Sequence, residues 1–414
     1  MKKIARLIIV LLVVLVSMLI FFKVRNDQRI KKEKALIKEI ENHYSNYVIT
    51  NKDSKLYELN NNKYIEIGNV SKDIKLILSD IKIDKNALYF KIEDLDLYIS
   101  YLDVDKTDEF SYNDRFKNYI PFNLNIKTKD KTNFYDDEDK LVYSINKSFD
   151  LKVIINDSDT YGVEYNNQLL YINGSDVDKL YENSNTDLQS KKNIRVITYH
   201  FLYNPDIQSC TSSICLSTYK FEDQLKYIRE NNYFTLTLPE LELYMDGKLR
   251  IPEKSTVLTI DDGTIINLDA IKMLDQYKVN ATMFIITSVV DPNLYQAEYL
   301  DLESHTDNMH NQYECPGYGL QGGGILCLSE EKVKADLKTS QEKLGGSIYF
   351  AYPFFDWDNR AIRLLKETGF HMAVVGAAGA DGVSTPGVTD KFKVKRKTMF
   401  SDVSLNEFIN EFLN

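Results

Sequence analysis

The hydrophobic pattern of this chain changes character three times. Residues 7–22 (LIIVLLVVLVSMLIFF) are almost wholly apolar, with Lys2, Lys3 and Arg6 before them and Lys23 and Arg25 after. As a helix this run rises roughly 24 Å, a little short of a ~30 Å hydrocarbon core, and flanking basic side chains can snorkel to close the gap. No small-x-small cleavage site follows, so the pattern predicts a retained transmembrane signal-anchor over 1–25. Residues 26–46 are polar and charged, with a trace of helical periodicity at Ile37 and Ile40, and read as a stalk. From 47 to 181 short runs alternate with a period of two between Asn/Asp turns, the signature of strands. Residues 182–193 (ENSNTDLQSKKN) are an apolar-poor linker.

Beyond 194 the rhythm becomes strand, helix, strand. Arg195–Phe201 reads as a strand, Ser217–Asn231 as a helix with Phe221, Leu225 and Ile228 on one face. Thr237-Leu238-Pro239-Glu240 is a capping box with Pro in the first turn. The apolar run Thr256–Ile260 predicts a buried strand that breaks at Asp261-Asp262-Gly263. A helix over Leu268–Tyr277, a strand over Ala281–Ile286, a helix over 330–344, a strand over Ile348–Tyr352, a helix over Asn359–Glu367, a strand over Met372–Val375 and a terminal helix over Leu405–Leu413 follow. Repeated βα units predict a barrel, in which function gathers at the C-terminal ends of the strands. Asp261, Asp262 and His200 all fall at such ends.

The β-rich part repeats internally. Residues 51–78 align without gaps to 128–155, and Lys52, Asp53, Lys63, Asn69, Ser71, Asp73, Lys75 and Ile77 recur as Lys129, Asp130, Lys140, Asn146, Ser148, Asp150, Lys152 and Ile154. Two small all-β modules are expected, 47–110 and 120–181, similar in size and strand density to bacterial SH3-type barrels. They serve either cell-wall or glycan contact or rigid spacing.

Composition narrows the function. A net charge of −10, with no dense basic patch outside the N-terminal flank, argues against nucleic acid. The four cysteines, Cys210, Cys215, Cys315 and Cys327, allow three pairings. The local one, Cys210–Cys215 with Cys315–Cys327, suits an oxidising exterior, and neither pair has the spacing of a zinc cluster.

Two adjacent carboxylates at a strand end are costly to keep as anions. A cation would relieve that cost, and neighbouring side chains at a strand terminus point different ways, so one carboxylate can bind metal while the other faces substrate. His305-Thr306-Asp307-Asn308-Met309-His310 supplies two imidazoles. Two imidazoles and one carboxylate leave a position open, as catalytic metal sites do.

Taken together and in this order, Thr259-Ile260-Asp261-Asp262-Gly263, the His-Thr-x-x-x-His segment and Phe350-Ala351-Tyr352-Pro353-Phe354 resemble the polysaccharide deacetylases (NodB-like, carbohydrate esterase family 4) over roughly 194–414. The five-residue histidine spacing is similar to that of the biofilm-type poly-N-acetylglucosamine deacetylases. The resemblance implies a distorted (β/α)7-type barrel and metal-dependent removal of acetyl groups from glycans. It makes Asp261 the general base, Asp262, His305 and His310 the metal ligands, His200 the acid for the leaving amine, and the Phe354 N–H the oxyanion donor. The family's usual bracing arginine is absent from the third motif, where Ala351 stands, and Arg396 is the candidate substitute. Tyr352, Trp357 and Arg396 are candidate substrate contacts. Zinc is the default metal, with cobalt, nickel or manganese as alternatives. The expected function is deacetylation of N-acetylglucosamine units, in an exopolysaccharide or in peptidoglycan, by an enzyme held at the cell membrane by one span with its bulk outside. An inactive wall-binding protein and an O-acetyl esterase are the rival readings.

Overall fold

The computed structural model describes residues 17–32, 34, 35, 38, 46–84, 87–157, 159–182, 190–315, 319–376 and 381–413. The chain divides into two units, one of residues 1–116, 124–153 and 157–183, the other of residues 117–123, 154–156 and 184–414.

The first unit is built from strands β1 (Tyr47–Thr50), β2 (Ser54–Asn60), β3 (Lys63–Val70), β4 (Lys75–Asp84), β5 (Ala87–Ile92), β6 (Leu97–Ser100) and β7 (Val104–Lys106), then β8 (Leu124–Thr128), β9 (Thr132–Tyr135), β10 (Leu141–Ile145), β11 (Asp150–Asp157), β12 (Thr160–Tyr165), β13 (Gln168–Asn173) and β14 (Val177–Glu182). Their order is β7-β1-β4-β5-β6-β2-β3 in the first copy and β14-β8-β11-β12-β13-β9-β10 in the second, so the sequence repeat is also a topological repeat. The copies join edge to edge through antiparallel pairing of β3 with β10, Gly68 lying opposite Ile145. The gapless repeat places Gly68 and Ile145 at equivalent positions, so each copy offers the other the same point of the same strand. That approach requires glycine, because a Cβ on residue 68 would lie 2.2 Å from the Ser144 carbonyl oxygen.

In the second unit seven parallel strands close on themselves. They are, in chain order, Ile194–Tyr199, Ser255–Ile260, Ala281–Ile285, Leu300–Ser304, Tyr349–Ala351, Met372–Gly376 and Val394–Thr398, and the first pairs with both the second and the last. Covered on both faces, such strands read as continuous apolar runs. The fourth and seventh do not, and the pattern above misses both. VKRKT buries Val394, Arg396 and Thr398 and turns its lysines away, which only the placement of Arg396 explains. The helix Thr218–Glu230 buries Phe221, Leu225 and Ile228 on the barrel side, with Ser217 accepting from the Lys220 N–H as its cap. The capping box of Thr237 and Glu240 forms with both of its bonds. The C-terminal segment is helical at Leu405–Glu407 but widens to a π-type turn over Phe408–Leu413, which seats Phe408, Phe412 and Leu413 in the core.

The N-terminal expectation is corrected. Among the described residues no helix is long and apolar enough to cross a membrane. Residues 17–32 are helical, but Met18–Phe22 give way at once to Lys23, Arg25, Asp27 and Arg29. Five apolar residues rise only ~7.5 Å against a ~30 Å core. Residues 1–16, which carry most of the expected span, lie outside the described residues, as do much of the 26–46 stalk and most of the linker. The transmembrane signal-anchor, the membrane as partner and the single-pass placement are therefore not carried forward. Neither are SH3-type barrels, since each copy has seven strands and the copies share one sheet.

The barrel is thinnest between its fourth and fifth strands, where Ser304↔Phe350 is the pairing. There the Glu303 carboxylate accepts the N–H groups of Ile348 (3.2 Å) and Tyr349 (3.1 Å) and the Ser347 hydroxyl. Burial raises the Glu303 pKa from 4.5 to about 7. Between those values the folded chain keeps a proton that the unfolded chain has released, so stability falls as pH rises through this window. Glu303→Gln is expected to flatten that fall, on the order of 3 kcal/mol across the window. Urea unfolding at a series of pH values checks it, and an unchanged slope would assign the titration elsewhere.

Candidate metal centre and active site

Four segments meet at one end of the barrel. The second strand is followed by Asp261, whose N–H donates to the Tyr199 carbonyl (2.9 Å). Asp262 then takes φ +72° and Gly263 φ +58°, while a Cβ on Gly263 would lie 2.8 Å from Ile285 Cγ1. The fourth strand is followed by His305 and then by Thr306 at φ +83°. After the fifth strand, Phe354 and Phe355 take φ +56° and +62°. Left-handed backbone at non-glycine residues costs of order 1–3 kcal/mol each and persists only where the surroundings enforce it. From the seventh strand comes Arg396.

Asp262 Oδ1 lies 3.4 Å from His305 Nε2 and 3.3 Å from His310 Nε2, and the three donor atoms fall within 4.8 Å of one another. Ligands ~2.0–2.1 Å from a tetrahedral ion stand ~3.3 Å apart, so this set fits a divalent metal. The His305 ring is oriented for it, since Nδ1 bonds the Ala351 carbonyl (2.8 Å) and leaves Nε2 facing Asp262. The loop between the histidines is fixed from below. The Asp336 carboxylate accepts from the Asp307 (2.8 Å) and Asn308 (2.7 Å) N–H groups, and Asp307 Oδ1 accepts from Thr287 (2.6 Å) and Lys343 (2.6 Å).

Asp261 is buried and paired with an equally buried Arg396 through two bonds, 2.6 Å to Oδ1 and 2.8 Å to Oδ2. The guanidinium sits 5.6 Å from the ring centroids of both Phe284 and Phe355. Burial works to raise the Asp261 pKa, but Arg396 and the nearby imidazoles outweigh it and hold the carboxyl below its ordinary range. At Asp262 burial is likewise outweighed, by His305 first, and the pKa falls to about 2. Burial lowers the pKa of His200, whose Nε2 lies 4.0 Å from Asp261 Oδ2 and whose buried Nδ1 has no partner among the described residues.

His200, Asp261, Asp262, His305 and His310 line a cavity of about 490 Å³ together with Ile214, Gln312, Tyr352, Phe354, Phe355, Asp356, Thr398 and Phe400, while Arg396 lies behind Asp261, fully buried and outside the lining. The geometry brings together Asp261, Asp262, His200, His305, His310, Phe354 and Arg396. Tyr352 touches the cavity but is fully buried, its hydroxyl donating to the Phe392 carbonyl (3.2 Å). Trp357 is not among the lining residues; Lys393 Nζ lies 4.4 Å from its ring centroid. Cys210 is bonded to Cys215 and Cys315 to Cys327. Three supporting residues escaped the sequence pattern: Asp336, Asn267, which accepts from the Leu202 N–H and donates to the His200 carbonyl, and Tyr295, whose hydroxyl donates to the Gly263 carbonyl. None sits in a motif, and only the fold brings them near.

Residues 248–373 match the family profile described as polysaccharide deacetylase. That segment is similar to the polysaccharide deacetylases. Among curated relatives in the family's range, the chain is 24% identical over 197 residues to YxkH of Bacillus subtilis strain 168, covering 45% of this chain and 65% of that one. It is 25% identical over 191 residues to the poly-β-1,6-N-acetyl-D-glucosamine N-deacetylase of Staphylococcus aureus strain MRSA252, covering 41% and 64%. The match thus spans less than two thirds of either relative's length. A solved structure of a de-N-acetylase from Aggregatibacter actinomycetemcomitans superimposes with a TM-score of 0.44 at 16% identity, over 53% of this chain and 99% of that one.

Removing one member of a buried ion pair strands the other and typically costs about 3–5 kcal/mol. Arg396→Leu is expected to lose stability in that range, and Arg396→Leu with Asp261→Leu to recover most of it. Denaturant unfolding of both variants checks this. A double variant as unstable as the single one would mean that Arg396 contributes packing and not charge.

Proposed function

We propose that the barrel is a metal-dependent deacetylase acting on N-acetylglucosamine units of a glycan polymer and releasing acetate. The observation that carries this reading is the convergence of Asp262, His305 and His310 beside a buried, ionised Asp261 in an open cavity. Asp262, His305 and His310 would hold the ion, which when bound polarises an acetyl carbonyl and lowers the pKa of water toward ~7. Asp261, held in place and in charge by Arg396, takes the proton from the attacking water, a role worth about 10²–10⁴-fold. Phe354, left-handed and at the cavity lining, would offer its N–H to an oxyanion there, and such donors are worth about 10²-fold or more. His200 delivers the proton to the departing nitrogen. Burial keeps His200 neutral at rest, so that proton arrives during turnover, from water by way of Asp261.

Support for an exopolysaccharide over peptidoglycan comes from the histidine spacing and from the relation to the staphylococcal enzyme named for poly-β-1,6-N-acetyl-D-glucosamine.

Acetate release from poly-N-acetylglucosamine, peptidoglycan and O-acetylated xylan, measured side by side, tests the reading. N-acetyl substrates are expected to react and the xylan to lag. In the same assay Asp261→Asn is expected to keep its metal and lose about 10²-fold or more in turnover, while His305→Ala loses both. Undiminished turnover in Asp261→Asn would remove Asp261 as the base.

A further inference from the structure

The hairpin that follows His310 is placed to do more than connect. Its strands, Gln312–Cys315 and Gly319–Gly323, pair at Gln312↔Gly323, Tyr313↔Gly322 and Cys315↔Gly319 with an irregularity between them. A two-stranded hairpin of that size is marginal by itself. It is held instead by contacts at both of its ends, the disulfide near the turn and hydrogen bonds at the base. Cys315 is bonded to Cys327 in the short helix Gly324–Cys327, with Cα atoms 5.3 Å apart. The Gly323 N–H donates to Asp356 Oδ2 (2.7 Å), the Gly324 N–H donates to the Met309 carbonyl (3.2 Å), and Arg360 donates to the Ile325 carbonyl (3.0 Å).

Those ties reach the candidate centre from two sides. Met309 precedes the ligand His310, and Asp356 follows the turn that presents Phe354. A Cβ on Gly323 would lie 3.3 Å from the Phe354 ring and 3.5 Å from Asp356 Oδ2. Gln312 and Asp356 both line the cavity. Among the described residues Asp356 is also the lining carboxylate with no ion pair: Arg396 pairs with Asp261 and the imidazoles with Asp262. Its anchored position suits acceptance of sugar hydroxyls.

We propose that this hairpin, clamped by Cys315–Cys327 and tied through Gly323 to Asp356, is the wall that seats the sugar against the centre, so that the disulfide governs substrate affinity and not metal affinity or chemistry. The inference rests on the N-acetylglucosamine reading above. Cys315 and Cys327 act as positioning residues.

The test compares the full chain with its Cys315→Ser/Cys327→Ser variant in bound metal, in hydrolysis of 4-nitrophenyl acetate, which needs only the reacting groups, and in KM and kcat for N-acetylchitopentaose. The expected result is a KM for the oligomer raised about tenfold, with metal content equal and ester hydrolysis within about threefold. An unchanged KM overturns the proposal. Loss of metal or of ester hydrolysis also overturns it, because the hairpin would then merely brace His310. Asp356→Ala and Asp356→Asn give a second approach in case the serine variant does not fold. Asn retains an acceptor for the Gly323 N–H, so it is expected to restore most of the affinity lost in Ala; equal losses overturn the tie. Should the unaltered chain cleave the ester but release no acetate from any N-acetyl oligomer, the parent reading fails first and takes this one with it.

Discussion

Asp261 and Asp262 set the terms for the rest of the barrel. Two carboxylates on consecutive residues, both nearly out of solvent, repel each other and resist ionisation. The fold answers each in its own way. Asp261 is matched by a permanent charge, Arg396, which no accessible pH removes. Asp262 is matched by two imidazoles whose free Nε2 atoms face it. In the first, one guanidinium engages both oxygens of Asp261, which still borders the cavity. The second is open and admits an ion. Neighbours in sequence thereby acquire different chemistry, because the left-handed turn at Asp262 sends the two side chains into different surroundings.

Strain collects where those side chains are aimed. Asp262, Thr306, Phe354 and Phe355 all adopt left-handed backbone, and each follows the end of a barrel strand. A β-branched residue such as Thr306 pays for that conformation more than most, so the contacts on either side must hold it. They do: the Thr306 N–H donates to Ser304 Oγ (3.2 Å), its carbonyl accepts from the Thr287 N–H (3.1 Å), and its hydroxyl accepts from the Met309 N–H (3.1 Å). The half-buried carboxylate of Asp336 then fixes the next two residues, which brings His310 back toward His305.

Much of this was legible in the sequence, for reasons that differ by residue. The strand before Asp261 is an unbroken apolar run, so its end could be placed. The two histidines stand close together in a chain that has five. The β repeat showed itself because its first 28 positions align without a gap. Arg396 was harder. It fills in space a role that the third motif lacks in sequence, and its own strand, VKRKT, looks like a polar loop. Asp336, Asn267 and Tyr295 had no signal. Each acts through hydrogen bonds to backbone from 28 to 67 residues away, and a bond to backbone leaves no mark on the partner's identity. The N-terminal reading went astray for the opposite reason. A strong composition signal was extended to a whole architecture, whereas in the described part of that segment the apolar residues Met18–Phe22 give way to Lys23, Arg25, Asp27 and Arg29.

The seam between the fourth and fifth strands shows how closure of the barrel and construction of the site became one problem. Backbone pairing there is confined to Ser304↔Phe350. On one side of it the ladder is replaced by the Glu303 carboxylate, which takes the N–H groups of Ile348 and Tyr349. On the other side it is replaced by the His305 ring, whose Nδ1 meets the Ala351 carbonyl. A side chain thus stands where the next backbone donor would be, and the bond that closes the sheet is the same bond that turns Nε2 toward Asp262. Opening the seam at its functional end makes room for the turn bearing Phe354, and the seam can stay open only because a ligand spans it. The barrel is therefore weakest in backbone pairing beside the candidate metal centre, and of the two residues that compensate, Glu303 only closes the seam while His305 also belongs to the metal-binding set.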